Sequence, residues 1–386
     1  MTAPTVSDLF DVRSHNPSFF AVRDRLAADA SSGRGPDTRP DELLDFCIPV
    51  NLHFPPPAML AEVREGLGDV LRYYPDYAEA HQRHVGEIAG LDPETVVPCN
   101  GSTEAITLLC QKACGPLVTP VPTFSRWTDL PQELGLPVHL VRRERSRGFR
   151  LGVDDLVGAA RASGGRTLVV CNPSNPTGAW LSLAEVEALA AELADLDAVV
   201  VDESFIDFSD LGSAAGLVTR HPNLVVVKSL GKSMGWHGVR LGYAVAAPER
   251  AAALRARLPF WNVNGLAAHV LRTATGYLPE YRASFARVAE DRATMEAALA
   301  AVPGLTVFPS KANFMFVELP EGVSGRALRD RLVVRHRVIV RECSNKVGSS
   351  ERYLRLAVQG RAAVDRLAAA LAEELAGSAL PLRRAA

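Results

Sequence analysis

Short apolar runs alternate with helical patterns through most of this chain. The runs are "TVVP", "HLVRR", "TLVVC", "AVVVD", "NLVVVK" and "YAVA". Amphipathic segments such as "SLAEVEALAAELADL" lie between them, and Ser182 followed three residues later by Glu185 predicts a capping box at a helix start. Strands that alternate with helices form a mostly parallel sheet with helices on both faces. The sequence therefore predicts a large α/β domain.

The pattern changes after this alternating region. A long helical stretch leads to the short pieces "LTVFPS", "NFMFVEL", "RVIVRE" and "YLRLAV", and then to a C-terminal helix. This order predicts a second, smaller α+β domain. We expect residues 1–45 to form an N-terminal arm and part of the small domain, 46–270 the large domain, and 271–386 the small C-terminal domain. The polar stretch at residues 30–42 is expected to be an exposed loop.

Composition excludes several classes of protein. A chain of 386 residues with 47% hydrophobic content can bury a large core. Lys+Arg total 42 against 44 Asp+Glu, with no basic block, so no nucleic-acid partner is expected. The N-terminal segment has no signal-peptide pattern and no run of 18 apolar residues occurs, which predicts a cytoplasmic protein without a membrane span. The six cysteines include no CxxC pair, and no metal site is predicted.

Polar residues follow three successive apolar runs. "TLVVC" leads into residues 172–178, "AVVVD" ends in residues 202–205, and "NLVVVK" is followed by residues 229–232, with Arg240 further on. Residues 101–103, Gly-Ser-Thr, open a helix, where backbone N–H groups favour an anion. Ligands of an open parallel sheet bind beyond the carboxyl ends of its strands, so these groups are expected to meet at one site.

One ligand uses all of these groups, namely a planar, phosphorylated aromatic aldehyde. A lysine supplies a Schiff-base amine, and a carboxylate pairs with the pyridinium nitrogen. An asparagine hydrogen-bonds the ring oxygen, while serine, arginine and helix N–H groups hold the phosphate. The predicted cofactor is pyridoxal 5'-phosphate (PLP).

At these motifs the sequence resembles the fold-type I, class I/II aminotransferases. The resemblance is carried by "NPSNPTG", "VVDESF", "SLGKSMGWHGVRLGY", "NGSTEAI" and "YLRLAV", and it extends over roughly residues 45–375. Within the family the chain is most similar to the branch of histidinol-phosphate aminotransferase and threonine-phosphate decarboxylase, where "YYPDY", "FWNVN" and "SKANFMFVEL" have counterparts. "DESFIDF" and "RECSN" lean toward the decarboxylase side.

The resemblance implies a role for each matching residue. Lys232 would be the Schiff-base lysine and general acid/base, Asp202 the pyridinium partner, and Asn175 the ligand of the ring oxygen. Phe124 would stack on the cofactor ring, and Tyr74 would reach the phosphate of the neighbouring subunit in a homodimer with shared active sites. The implied phosphate ligands are Ser102, Thr103, Ser229 and Arg240.

Two arginines are implied on the substrate side. Arg355 would pair with the substrate carboxylate through a bidentate fork, and Arg341 would lie close by, although a solvated strand-end charge is the alternative for Arg341. Lys228 competes with Lys232 as the reactive amine, but it lies within the strand pattern, and it lacks the serine three residues before and the arginine eight residues after.

Three features depart from the family pattern. Phe205 stands where the family usually has a tyrosine that donates to the ring oxygen. Trp236 and His237 replace small or aliphatic residues after the lysine, and His53 and Phe54 occupy positions where small residues are common. All lie toward the substrate side, so they bear on substrate identity more than on the cofactor.

The resemblance favours a PLP-dependent aminotransferase that acts on an amino acid or amino phosphate with a 2-oxo acid partner. The alternative is a PLP-dependent decarboxylase of a phosphorylated amino acid, or another PLP lyase of specialised metabolism. A non-catalytic ligand sensor would not need Lys232, Asp202, Asn175 and Arg240 together. A Rossmann dehydrogenase is disfavoured because no GxGxxG follows an early strand.

Overall fold

A computed structural model describes residues 19–31, 43–113 and 115–378. The loop expected at 30–42 begins later, because residues 30 and 31 belong to the first helix, and its remainder at 32–42 lies outside the described residues, as do residues 1–18 of the arm and Cys114. The helices are α1 Phe19–Ser31, α2 Pro57–Glu65, α3 Leu67–Arg72, α4 Ala78–Ala89, α5 Ser102–Lys112, α6 Arg126–Glu133, α7 Val153–Ala162, α8 Leu183–Glu192, α9 Leu230–Ser233, α10 Pro248–Arg255, α11 Gly265–Ala274, α12 Leu278–Ala300, α13 Gly325–His336 and α14 Arg361–Ser378.

The strands include every apolar run expected from the sequence. They are β1 Leu44–Asp45, β2 Val96–Cys99, β3 Leu117–Val121, β4 Val138–Arg142, β5 Thr167–Cys171, β6 Ala198–Asp202, β7 Leu224–Lys228, β8 Gly242–Ala246, β9 Thr306–Phe308, β10 Phe314–Glu318, β11 Val338–Ile339, β12 Arg341–Glu342 and β13 Tyr353–Ala357. The capping box predicted at Ser182 and Glu185 is confirmed at the start of α8.

The chain folds into two compact units. The larger unit comprises Val50–Ala289 and Ser310–Asn313, and the smaller unit comprises the described residues up to Pro49, Glu290–Pro309 and those from Phe314 onwards. This boundary falls inside α12 and therefore later than the expected start of the small domain at residue 271. The physical reason is that α11 packs against α2, α3 and α4 of the larger unit.

A seven-stranded mixed sheet forms the centre of the larger unit, in the order β2-β8-β7-β6-β5-β3-β4. Only β8 runs against its neighbours, β2 and β7, and the other pairs are parallel. Alternate residues of the central strands enter different apolar clusters: Leu168 and Val170 enter one, and Val169 and Cys171 enter the other. Both faces of the sheet are therefore buried, as expected for a sheet between two helical layers.

The smaller unit has two sheets of its own. Four antiparallel strands are arranged in the order β12-β13-β10-β9, and β1 pairs in parallel with β11. Val22 of α1 and Val333 of α13 belong to one buried apolar cluster with Ile339. Within the described parts of both units, no helix is long and apolar enough to cross a bilayer.

Candidate active site

The parallel strands β5, β6 and β7 end together at one edge of the large sheet. Cys171 pairs in register with Asp202, and Asp202 with Val227. The backbone N–H of Asn172 donates to the carbonyl oxygen of Asp202 over 2.9 Å. The loop at 172–178, which carries the buried Asn175, therefore starts beside Asp202.

Asp202 is a buried carboxylate with hydrogen-bond donors on both oxygens. Its Oδ2 accepts from the indole Nε1 of Trp127 at 2.8 Å. Its Oδ1 accepts from Ser204 Oγ at 2.6 Å and from the Ser204 backbone N–H at 3.1 Å. Cys171 Sγ lies 3.9 Å from Oδ2. Both oxygens therefore serve as hydrogen-bond acceptors, and a carboxylate placed in this way can also accept from a pyridinium nitrogen.

Lys232 projects from the short helix α9. Its Nζ lies 3.2 Å from Ser229 Oγ and 5.1 Å from the centroid of the Phe205 ring. Asn51 holds this helix, because its backbone N–H donates to the carbonyl oxygen of Lys232 at 2.9 Å and its Nδ2 donates to that of Ser233 at 2.8 Å. The reactive amine expected from the sequence is thus fixed on an anchored turn.

Two glycines allow close approaches at the N-terminus of α5, Gly101 to the side chain of Arg240 and Gly242 to the backbone of Ser102. Gly101 precedes the helix with φ of 80°, and no side chain caps the first turn. A Cβ on Gly101 would lie 2.6 Å from Arg240 Nη2, and a Cβ on Gly242 would lie 2.5 Å from the backbone N of Ser102. Helix N–H groups, the buried Ser102 and a guanidinium thus lie together, with Thr103 in the same first turn. This donor set is suited to a phosphate.

His237, one of the departures from the family pattern, lies beside these cations. Its carbonyl oxygen accepts from Arg240 Nη1 at 3.2 Å. Desolvation, followed by the charges of Lys232 and Arg240, lowers the pKa of His237. The imidazole is therefore held toward its neutral form.

Two predicted aromatic residues have different surroundings. Phe124 is half-buried and packs against the apolar cluster that contains Val169 and Trp127. Tyr74 is 80% exposed, and its ring stacks on that of Trp261 with the centroids 4.6 Å apart. Tyr74 therefore lies on the surface of the larger unit.

Arg341 and Arg355 lie in the smaller unit, whereas the other candidate residues lie in the larger unit. They are register partners on β12 and β13, and both are buried. Arg341 Nη2 donates to Asn345 Oδ1 at 2.9 Å, and Arg355 Nη2 donates to the carbonyl oxygen of Cys47 at 2.6 Å. Burial lowers the pKa of Arg355, and Arg341 adds to the shift.

Sequence reasoning missed two residues of this site. From the sequence alone, Trp127 is indistinguishable from an ordinary aromatic residue of the core, although it belongs to the same "PTFSRW" string as Phe124. Asn51 lies far along the chain from Lys232, so only the tertiary structure shows that it anchors α9. A signal for Asn51 was its place just before the unusual His53 and Phe54.

The donor set fits PLP. Lys232 offers an amine, Asp202 a buried carboxylate with donors on both oxygens, and Asn175 a buried amide. The uncapped start of α5 and Arg240 offer N–H donors for a phosphate, with backbone approaches that a Cβ would block. These are the chemical groups that a phosphorylated pyridine aldehyde requires.

Comparisons with known proteins show the family. The family model "Aminotransferase class I and II" matches residues 41–371. The chain is 36% identical over 342 residues to CMP-5'-(3-aminopropyl)phosphonate synthase of Streptomyces rubellomurinus, covering 86% of this chain and 53% of that protein. It is 30% identical over 301 residues to L-serine phosphate decarboxylase of Sulfurospirillum multivorans, covering 76% of each.

A solved structure agrees with these matches. A decarboxylase from Sulfurospirillum multivorans superposes with a TM-score of 0.77 at 26% identity, covering 92% of this chain and 99% of that one. The chain spans about half the length of the first two curated relatives that it matches.

The chain therefore belongs to the class I and II aminotransferase family, whose members depend on PLP. The family, the α/β fold class and the PLP cofactor predicted from the sequence are confirmed. Relatives include histidinol-phosphate aminotransferases as well as the decarboxylases, so the branch is confirmed while both reactions stay open.

Proposed function

We propose that this PLP-dependent enzyme removes the α-carboxylate of an amino acid that carries a second anionic group, a phosphate or a phosphonate. The observation that carries the proposal is the buried pair Arg341 and Arg355 on directly opposite positions of β12 and β13. Like charges placed opposite each other destabilise a sheet, and burial, with a smaller contribution from Arg341, lowers the pKa of Arg355. A fold that keeps this arrangement gains most when it binds a substrate with two anionic groups.

The relatives support the same class of substrate. The names of two of them, an L-serine phosphate decarboxylase and a phosphonate synthase, each include a phosphorus-containing anion. The sequence favoured transamination over decarboxylation. We rank decarboxylation first because a relative that is 30% identical, with 76% of both chains covered, is a decarboxylase.

The residues of the larger unit take the following roles in this proposal. Asp202 pairs with the pyridinium nitrogen, Asn175 binds the ring oxygen, and Phe124 stacks on the ring. Lys232 would hold the cofactor covalently until the substrate amino group displaces its Nζ, and the freed Nζ would then deliver a proton to Cα after carbon dioxide leaves. When bound, PLP supplies the electron sink that allows a bond at Cα to break. The proposed phosphate ligands are Ser102, Thr103, Ser229 and Arg240.

Transamination is the second candidate, and the planar fork of Arg355 favours it. A guanidinium that binds the α-carboxylate in two-point fashion holds the Cα–carboxylate bond near the cofactor plane, which leaves the Cα–H bond to break. Lys232 would then remove the Cα proton instead of delivering one. The two reactions thus differ in which anion Arg355 binds.

A single turnover with O-phospho-L-serine labelled at the carboxyl carbon separates these reactions. We expect labelled carbon dioxide with the cofactor left in its aldehyde form. A label-retaining 2-oxo acid with an aminated cofactor would overturn decarboxylation and support transamination.

The variant Arg355→Lys keeps the positive charge but loses the planar two-point fork, and kcat/KM should fall about 10- to 100-fold whichever reaction occurs. An unchanged kcat/KM would remove Arg355 from the site.

We also propose a homodimer that covers an exposed aromatic cluster on the larger unit. Tyr74, Tyr77 and Phe260 surround Trp261, with ring centroids 4.6, 5.9 and 6.0 Å from it. Exposed apolar patches rimmed by polar residues mark interaction sites. Tyr74 would reach the cofactor phosphate of the second copy. Sedimentation should show a dimer, and Tyr74→Phe should weaken PLP binding. An active monomer would contradict this proposal.

A cytoplasmic location of the protein stays a prediction.

A further inference from the structure

The indole of Trp127 is held rigidly against the candidate active site. Its Nε1 donates to Asp202 Oδ2 over 2.8 Å. Trp127 is 1% exposed and belongs to the apolar cluster on one face of the large sheet, so close packing sets its position. The indole has one N–H donor and no acceptor. Oδ2 must therefore present a lone pair to Trp127 whenever this hydrogen bond forms.

Ser204 acts on the other oxygen of the same carboxylate. Oδ1 accepts from Ser204 Oγ at 2.6 Å and from its backbone N–H at 3.1 Å. The terminal torsion of an aspartate is broad, so a carboxylate with a single donor retains rotational freedom. A donor on each oxygen removes that freedom.

A structural role is the competing explanation for Trp127, because a buried tryptophan needs a partner for its N–H. That role affects stability alone. The partner here is a carboxylate at the end of β6, at the edge of the sheet where Lys232 and Asn172 also lie, and Trp127 shares it with Ser204. These observations point to control of the carboxylate.

We propose that Trp127 is a positioning residue, whose indole N–H orients the Asp202 carboxylate toward the pyridine nitrogen of PLP. The proposal rests on the role proposed above for Asp202. It predicts an effect on the affinity and spectrum of the cofactor that passes through Asp202. A purely structural tryptophan would not produce this effect.

Replacement of Trp127 by benzothienylalanine tests the donor itself, because this analogue keeps the shape of tryptophan with sulfur in place of the N–H. We expect the PLP dissociation constant of the reconstituted protein to rise about tenfold, the loss typical of one hydrogen bond to a charged group. The pH at which the visible absorption band changes should shift as well. Trp180 is the matched control, because its ring lies against Arg150 and Lys311, and its replacement should change neither property.

The Asp202→Asn background shows whether the effect passes through the carboxylate. There, replacing Trp127 should change PLP affinity less than about twofold, because the charged acceptor is gone. An equal loss in both backgrounds would overturn the proposal, and so would a lower Tm with unchanged affinity and spectrum. Where the analogue protein does not fold, Trp127→Phe also removes the N–H donor, and unchanged PLP affinity in that variant would overturn it too.

These outcomes are separate from those of the proposed function. Asp202→Asn with the PLP affinity and turnover of the natural protein would refute the role of Asp202 itself. Loss of both in Asp202→Asn, together with no effect of the Trp127 analogue, would leave that role intact and refute only the role of Trp127.

Discussion

Two lysines four residues apart lie in opposite kinds of surroundings. Lys228, at the end of β7, has its Nζ 2.6 Å from Asp207 Oδ1 and 4.0 Å from Glu203 Oε2. Lys232, on α9, contacts the Ser229 hydroxyl and the face of the Phe205 ring. A buried ammonium between two carboxylates is held in its charged form, whereas a nucleophile must reach its neutral form.

The acidic residues Asp202 and Glu203 also lie in different surroundings. Asp202 and Glu203 are consecutive, so their side chains point to opposite faces of the sheet. Asp202 accepts from Trp127 and Ser204, while Glu203 accepts from the Ser213 hydroxyl and from the Ala214 backbone N–H. Burial raises the pKa of Glu203 despite the opposing effect of Lys228. One face thus carries the proposed PLP site and the other the ion pair of Glu203 with Lys228.

The largest expected effect follows from replacing Lys232 rather than Lys228. Lys232→Ala should leave a folded protein that binds PLP without covalent attachment and loses turnover by on the order of 10⁴-fold. Borohydride reduction followed by mass spectrometry measures the attachment. Lys228→Ala is the matched control and should retain the attachment at Lys232. Cofactor fixed to the Lys232→Ala chain would reverse the two assignments.

Loss of Lys228 should instead reduce stability. Lys228→Met leaves the buried Glu203 without its nearest cation, which should cost about 3–5 kcal/mol of unfolding free energy. Urea unfolding of the apoproteins measures this cost. A Lys228→Met protein as stable as the natural chain would show that the ion pair does not hold this face together.

The acids give a smaller contrast. Asp202→Asn should lower turnover on the order of 100-fold, because a neutral amide cannot keep the pyridinium protonated. Glu203→Gln is nearly isosteric and should leave the PLP absorption spectrum unchanged while it lowers the Tm. Similar turnover in the two variants would contradict the division between the faces.

The position of the candidate site at one edge of the sheet could be predicted from the sequence, for physical reasons. Apolar runs mark buried parallel strands, so the residues after "TLVVC", "AVVVD" and "NLVVVK" were expected at one edge, which is where they lie. Strand β3 was not predicted, because Pro120 interrupts its apolar run. The hydrogen bonds from Trp127 to Asp202 and from Asn51 to Ser233 join distant segments. Such contacts depend on tertiary packing, which local patterns do not encode.

The smallest expected effect is on the pH dependence of stability, and it concerns the ion pair of Glu203 with Lys228. Burial already raises the pKa of Glu203, and removing Lys228 raises it further. An acid whose pKa is higher in the folded protein than in the unfolded chain stabilises the fold when protonated, and this contribution is lost as pH rises through the folded value. The unfolding free energy that Lys228→Met costs should therefore decrease on acidification. The decrease should be about 1.4 kcal/mol per pH unit in the range where Glu203 is protonated in the folded variant but still ionised in the folded natural protein. Urea unfolding at a series of pH values from neutrality downward measures this trend. The double variant Lys228→Met with Glu203→Gln should show a cost independent of pH, and the same slope in both proteins would show that Glu203 is not the group responsible.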